Sequence, residues 1–234
     1  MGPVKAITLD AAGTLIRPYP SIGAVYADIV ESHEGHAEPE ILEERFHKVF
    51  HENIDAAVPM DRTFWKKIVS KTYGDTCPKS NFEACFNDLW DAFGEGHRWV
   101  LLDGVEDILH QLKKQGLQLA ILSNNDSRLR QVLEDKGIAT LFDKLFISEE
   151  IGCRKPSIEI FHHVEQTLDL EPIELLHVGD SPREDYHGAR NAGWNTVLIA
   201  RKCPPGVQQS DWVTSLSLVP TKGRQKQIEG ERGL

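Results

Sequence analysis

The sequence predicts an α/β protein: a doubly wound parallel sheet with an α-helical segment inserted after the first strand. Three observations predict it. Five short runs rich in Val, Ile and Leu lie at residues 4–9, 117–123, 144–148, 175–178 and 196–200. Several lack period-2 alternation, as strands buried on both faces of a parallel sheet do. Helical patterns separate the last four runs, whereas residues 17–98 show helical patterns and no convincing strand.

Each element has a local cause. The run at 4–9 opens the sheet. Residues 17–98 follow, with helical spacing at 24–33, 40–54, 62–72 and 81–93, and hold 11 of the 18 aromatic residues, enough for a small core of their own. Residues 105–115 read as a helix ended by Gly116, a residue type suited to a left-handed closing turn. The strand at 117–123 runs into Asn124, Asn125 and Asp126, all N-cap types, and then a helix at 127–136 closed by Gly137. Helices at 158–168 and 185–191 follow the next two strands. The expected division is a Rossmann-like core (1–16 and 99–220), a helical cap (17–98) and a polar tail (221–234) expected to be disordered. There is no internal repeat.

Composition narrows the function. The chain has 234 residues, 40% hydrophobic, and 26 basic against 36 acidic side chains, a net charge of −10. A chain this long buries roughly 70% of its unfolded surface and needs no disulfide or structural metal to fold. Its acidity argues against nucleic acid as a partner, because phosphate neutralisation needs clustered Lys and Arg. No apolar run approaches membrane-spanning length, so no membrane association is expected. Cys77, Cys85, Cys153 and Cys203 form no CxxC pair, which suits a reducing compartment. MGPVKAITLD lacks the layout of a secretory signal, and Ala6 stands where myristoylation needs Ser or Thr. A cytoplasmic location is expected; the oligomeric state is left open.

The chemistry gathers at strand ends. The first strand ends in Leu9-Asp10-Ala11-Ala12-Gly13-Thr14, placing a carboxylate where open α/β sheets bind ligands. The second ends in Leu122-Ser123-Asn124-Asn125, a hydroxyl beside a helix N-terminus. After the third come Arg154-Lys155-Pro156, a lysine entering a helix through proline. The fourth ends in Gly179-Asp180-Ser181-Pro182-Arg183-Glu184-Asp185. Two carboxylates on one turn suit Mg²⁺, a hard cation that takes few protein ligands. Taken in order, the four groups converge on one face of one sheet.

In this order the residues resemble the haloacid dehalogenase-like hydrolases, in the form with a helical cap after the first motif. The resemblance implies that Asp10 is a nucleophile forming an aspartyl-phosphate. It implies Mg²⁺ held by Asp10, the main-chain carbonyl of Ala12 and Asp180, supported by Asp185. Thr14, Ser123 and Asn124 would surround the transferring group, and Lys155 would balance its charge. The substrate would be a small phosphorylated molecule.

Ala12 departs from the pattern. Phosphatases of the superfamily carry there a second Asp, which protonates the leaving group and then activates water. Such acid–base catalysis contributes about 10²–10⁴ in rate, or roughly 3–5 kcal/mol of barrier. Four readings accommodate the alanine. A metal-dependent phosphatase would act on good leaving groups or take its acid from the cap. A phosphonoacetaldehyde-type hydrolase would need a cap lysine, from Lys48, Lys66, Lys67, Lys71 and Lys79. A metal-independent 2-haloacid dehalogenase expels halide without a proton. A silent phosphate- or metal-binding protein would keep the fold alone.

The remaining features read as structure. His47 and His51, spaced i,i+4, and His33 and His36 read as solvated helix faces, since no completing ligands lie nearby. Trp65, Trp90 and Phe93 read as cap core. Arg17 and Tyr19, just past the first motif, read equally as a hinge within reach of the cap–core cleft or as surface.

Overall fold

The structure, a computed structural model, describes residues 4–54 and 60–219. The tail expected at 221–234 lies outside the described residues. Six strands form one parallel sheet: β1 (Ala6–Leu9), β4 (Gln118–Ser123), β5 (Lys144–Ile147), β6 (Leu175–Gly179), β7 (Asn195–Ile199) and β8 (Trp212–Val213). Their order is β5-β4-β1-β6-β7-β8, and every pairing is parallel. From β1 the chain builds outward on one side through β4 and β5. It then crosses back and builds outward on the other side from β6.

Alternation along the strands feeds two apolar layers. Ile7, Leu9, Leu119, Ile121, Leu176 and Val178 face one of them. Helices α5 (Val105–Lys114) and α6 (Leu129–Asp135) close that layer with Ile108, Leu109, Leu112, Val132 and Leu133. Ala6, Ala120, Leu122 and Leu175 face the other layer, closed by α8 (Ile158–Leu168) and α9 (Gly188–Asn191). Phe161 of α8 packs edge-on against Trp194, with ring centroids 5.2 Å apart. Fully burying one such side chain contributes roughly 1.5–3 kcal/mol, so the two layers carry most of the stability.

Between β1 and β4 lies a short antiparallel ribbon, β2 (Ile16–Pro18) and β3 (Trp99–Leu101). Arg17 and Pro18 thus form a strand where no strand was expected. Three residues ending in proline carry no usable periodicity, and the pairing comes from the returning chain. The residues joining β2 to β3 include α1 (Ile22–Ser32), α2 (Pro39–Asn53), α3 (Arg62–Tyr73) and α4 (Phe82–Ala92). Ser21 and Asp61 cap α1 and α3 by accepting from Ala24 N and Phe64 N, and Pro39 opens α2, where its missing N–H is harmless. Val25, Tyr26, Leu42, Tyr73, Phe86 and Leu89 form a separate apolar cluster among these helices. The Tyr73 hydroxyl donates to Tyr26 O at 3.0 Å.

Two other elements differ from the reading of the sequence. A short helix α7 (Ser148–Ile151) follows β5. The helix expected at 185–191 is a π-helical turn, Pro182–His187, followed by α9. Both Asp185 N and Tyr186 N reach back to Ser181 O. The wider turn directs the Asp185 carboxylate inward, and π-turns often mark functional sites.

Candidate active site

The site forms where the strand order reverses, at the carboxyl ends of β1, β4 and β6. Asp10 follows β1, and its N–H donates to Val178 O at 2.9 Å. Ser123 ends β4, and its hydroxyl donates to Asp10 Oδ1 at 3.1 Å. Asp180 follows β6 and opens to the cleft. Asp10, Asp180 and Asp185 each bring a carboxylate oxygen within 4.8 Å of the others.

Two glycines permit this crowding. Gly13 has φ +97°, and a Cβ there would lie 2.3 Å from Asp180 Oδ2. A Cβ on Gly179 would meet the Asp185 carboxylate at 2.2 Å. Any larger residue at either position would push a carboxylate away.

Lys155 stands behind the carboxylates and is 1% exposed. Its ammonium donates to Asp185 Oδ1 at 2.6 Å, Leu122 O at 2.7 Å and Asp10 Oδ1 at 3.0 Å. Three N–H bonds meet three acceptors, so no donor is left over. Asn124 fixes the lysine backbone from both sides: its Nδ2 donates to Lys155 O, and Lys155 N donates to its Oδ1, each at 2.8 Å. Asn124 is therefore a positioning residue for Lys155 as well as part of the cleft wall. Both donors to Asp10, from Ser123 and Lys155, reach Oδ1.

Of the three site aspartates, Asp185 accepts the most hydrogen bonds. Oδ1 accepts from Lys155 and His177, and Oδ2 accepts from Ser181 N at 2.8 Å. His177 Nε2 lies 3.0 Å from Asp185, and its Nδ1 lies 2.8 Å from Thr8 Oγ1. A neutral imidazole satisfies this chain if Nε2–H donates and Thr8 donates to Nδ1. Burial, and next the Lys155 charge, hold His177 below its usual 6.5.

The carboxylates titrate in opposite directions. Burial alone would raise Asp185, but the Lys155 ammonium and His177 hold it well below the usual carboxylate range. Burial raises Asp10, aided by the Asp185 charge and opposed by Lys155. Asp180 faces the cleft, yet protein surrounds its other sides. Burial, then the charges of Asp10 and Asp185, push it up to about 7. Lys155 is desolvated, but Asp10 and Asp185 keep it protonated. Three carboxylates thus share one ammonium, an excess of negative charge expressed in the raised Asp180. An all-oxygen donor set with uncompensated charge fits a hard divalent cation such as Mg²⁺.

The expected residues do not all line the cleft. Asp10, Ser123, Lys155 and Asp185 are in direct contact, and Ala12 lines the cleft beside Asp180. Thr14 is 1% exposed and off the cleft wall; its hydroxyl has no partner among the described residues. Arg17 lines the cleft, whereas Tyr19 is 52% exposed and does not. His33, at the end of α1, pairs with Asp88; His36 lies outside the helices, near Glu31 and Glu38; and His47 pairs with Glu43 and also lines the cleft. The sequence reading assigned no role to Thr8, His177 or Glu184. Glu184 also lines the cleft, 3.9 Å from Arg154. Burial raises it above the usual carboxylate range.

The cleft, with its carboxylate end included, is one cavity of about 460 Å³. It runs among α1–α4, where Trp65, Trp90 and Phe93 form part of its wall. These three rings also pack against the α1–α4 cluster, so they serve both core and cavity.

A doubly wound sheet with a strand-end aspartate, a buried lysine and paired aspartates after β6 defines an α/β protein with a carboxylate-rich site at its strand ends. Residues 4–193 match the family model described as haloacid dehalogenase-like hydrolase. The chain belongs to the haloacid dehalogenase-like hydrolase family. It is 29% identical over 227 residues to haloacid dehalogenase-like hydrolase domain-containing protein 3 of Mus musculus, covering 93% of this chain and 90% of that protein. Its fold is similar to that of an HAD phosphatase from Thermococcus onnurineus (TM-score 0.67, 23% identity, 97% of this chain and 98% of that one). It is also similar to L-2-haloacid dehalogenase from Xanthobacter autotrophicus (TM-score 0.68, 22% identity, 89% and 80%). Both likenesses concern the fold and do not choose between the two chemistries. No helix among the described residues is long and apolar enough to cross a membrane.

Proposed function

We propose that this hydrolase is a Mg²⁺-dependent phosphatase-type enzyme acting on a small phosphorylated molecule, with Asp10 as nucleophile and α1–α4 as its cap. The observation that carries the reading is three converging carboxylates served by one buried ammonium. A metal-free dehalogenase has no use for that excess of negative charge. Asp10 and Asp180 would hold the cation, with the Ala12 carbonyl beside them. The three hydrogen bonds that Asp185 already accepts suit support through water. Mg²⁺ bound there would neutralise phosphate oxygens and favour in-line attack.

The chain's own residues account for the remainder. Lys155 and Ser123 hold Oδ1 of Asp10, which leaves Oδ2 to attack phosphorus. The O–P bond forms as the ester or anhydride oxygen leaves, giving an aspartyl-phosphate. Water then attacks phosphorus and releases Asp10 with inorganic phosphate. Ala12 offers the leaving oxygen a methyl group and no proton, so departure must suit an anion that is stable in water. Acyl and aryl phosphates meet that condition. Among the described residues no lysine of 17–98 lines the cleft; Lys66 is tied to Glu83 and Lys71 to Asn53. The imine-forming phosphonate reading therefore lacks its amine.

A substrate panel with and without Mg²⁺ tests the proposal. Acyl and aryl phosphates should release phosphate faster than alkyl phosphates. Chelation and Asp10→Asn should each abolish release. Chloride release from 2-chloropropionate that survives chelation, with no phosphatase activity, would overturn it.

A further inference from the structure

The cavity that begins at the carboxylates and runs on among α1–α4 is larger than a phosphate alone needs. Its volume of about 460 Å³ falls within the roughly 300–1,000 Å³ of pockets that enclose whole organic ligands. Its far wall is aromatic: Phe46, Phe50, Trp65, Trp90 and Phe93 line it, with Val69 among them. All five rings are only half-buried, although they lie within the molecule. Phe46 stacks on Phe50 at 5.6 Å, and Phe50 on Trp65 at 5.9 Å, both with planes 15° apart. The Trp65 indole N–H is buried with no acceptor among the described residues, so the wall also carries an unused donor. The basic side chains that line the cavity are already engaged: Arg128 with Asp126 and Trp90 O, His47 with Glu43, and Arg17 with Pro18 O. A second phosphate would have to displace one of these partners.

We propose that the substrate carries, opposite its phosphate, an uncharged planar apolar group, and that this aromatic chamber receives it. The proposal rests on the phosphatase reading above and deepens it. Apolar burial then supplies affinity while the carboxylate end supplies chemistry. Nucleotides and sugar bisphosphates, polar or anionic at both ends, are poor fits.

The test separates chamber size from leaving-group chemistry. With Mg²⁺, the full chain is assayed on 2-naphthyl phosphate and phenyl phosphate, whose leaving groups are of nearly equal basicity. The expected KM is at least about tenfold lower for the naphthyl ester, from its extra apolar area. Equal KM values overturn the proposal and leave the phosphatase reading standing. Calorimetric titration with 2-naphthylphosphonate and phenylphosphonate, which have no ester to cleave, gives the second readout. The naphthyl compound should bind tighter by a similar factor. If it does while neither ester is hydrolysed, the chamber stands and the phosphatase reading falls. If neither phosphonate binds, or both bind equally, the chamber proposal falls. Val69→Phe places a ring in the chamber and should bring the naphthyl-to-phenyl ratio of kcat/KM to about one. An unchanged ratio overturns the proposal, and if this variant does not fold, the titration of the unsubstituted chain decides.

Discussion

Lys155 is the residue on which the site balances. It neutralises two buried carboxylates, so removing its charge strands both in a water-poor setting. Lys155→Met should therefore cost about 3–5 kcal/mol of folding stability, measured by urea denaturation. Lys155→Arg should rescue little, because a planar fork does not match acceptors arranged around an ammonium. Ala12 supports a second prediction. It is exposed and lines the cleft, so a carboxylate fits there without disturbing the core. Ala12→Asp should raise alkyl-phosphate turnover with Mg²⁺ by about tenfold or more; no change with the metal bound would count against the proposed chemistry. At this scale Asp10, Ser123, Asp180 and Asp185 were legible because each sits at a strand end or its turn, where polar residues interrupt apolar runs, and Lys155 because Pro156 follows it at the entry to a helix. His177 and Thr8 were not. Each lies inside a strand, and a polar residue within an apolar run gives no sign of the partner it finds on a neighbouring strand.

The elements are joined by a clasp that periodicity could not show. Arg128, at the N-cap of α6, lies 3.4 Å from the centre of the Trp90 ring and also donates to Trp90 O. It pairs with Asp126, whose side chain is 1% exposed. Asp135 of α6 accepts from Gly96 N, near the end of the inserted segment. Through these contacts α6 of the sheet layer grips the end of α4. Arg128→Ala removes the stacking and leaves Asp126 buried without its cation. It should destabilise the protein by about 3 kcal/mol and speed hydrogen exchange in α4 before it does so in the sheet. Uniform exchange across both regions would show that the clasp is not local. The main strands and helices were legible from composition and spacing. The ribbon β2–β3, the edge strand β8 and the π-turn were not, because each is short and is set by long-range pairing or by one side chain.

For the whole molecule, charge must be considered locally. A net charge of −10 repels an anionic substrate at long range, and screening limits that repulsion to about 8 Å at physiological salt. The cluster of three aspartates is the extreme case, and it ties stability to pH. The folded value of Asp180 is pushed up to about 7, from an ordinary 3.8. A raised carboxylate stabilises the fold at low pH, and that contribution is lost as pH rises through 7. Asp180→Asn should therefore raise the Tm of the metal-free protein at pH 8, and the gain should vanish near pH 4. Saturating Mg²⁺ should raise the Tm of the unsubstituted chain at pH 8 and do less for the variant. The opposite order would show that the carboxylates are already balanced without a cation.

The burial of Lys155 also bears on chemical labelling. Amine reagents attack the uncharged amine, and this one is held protonated with every N–H engaged. Surface lysines will acetylate while the protein stays folded, and Lys155 will remain unmodified. Its acetylation, followed by peptide mass spectrometry, is thus a molecular clock for opening of the floor beneath the carboxylates, readable without any knowledge of the substrate.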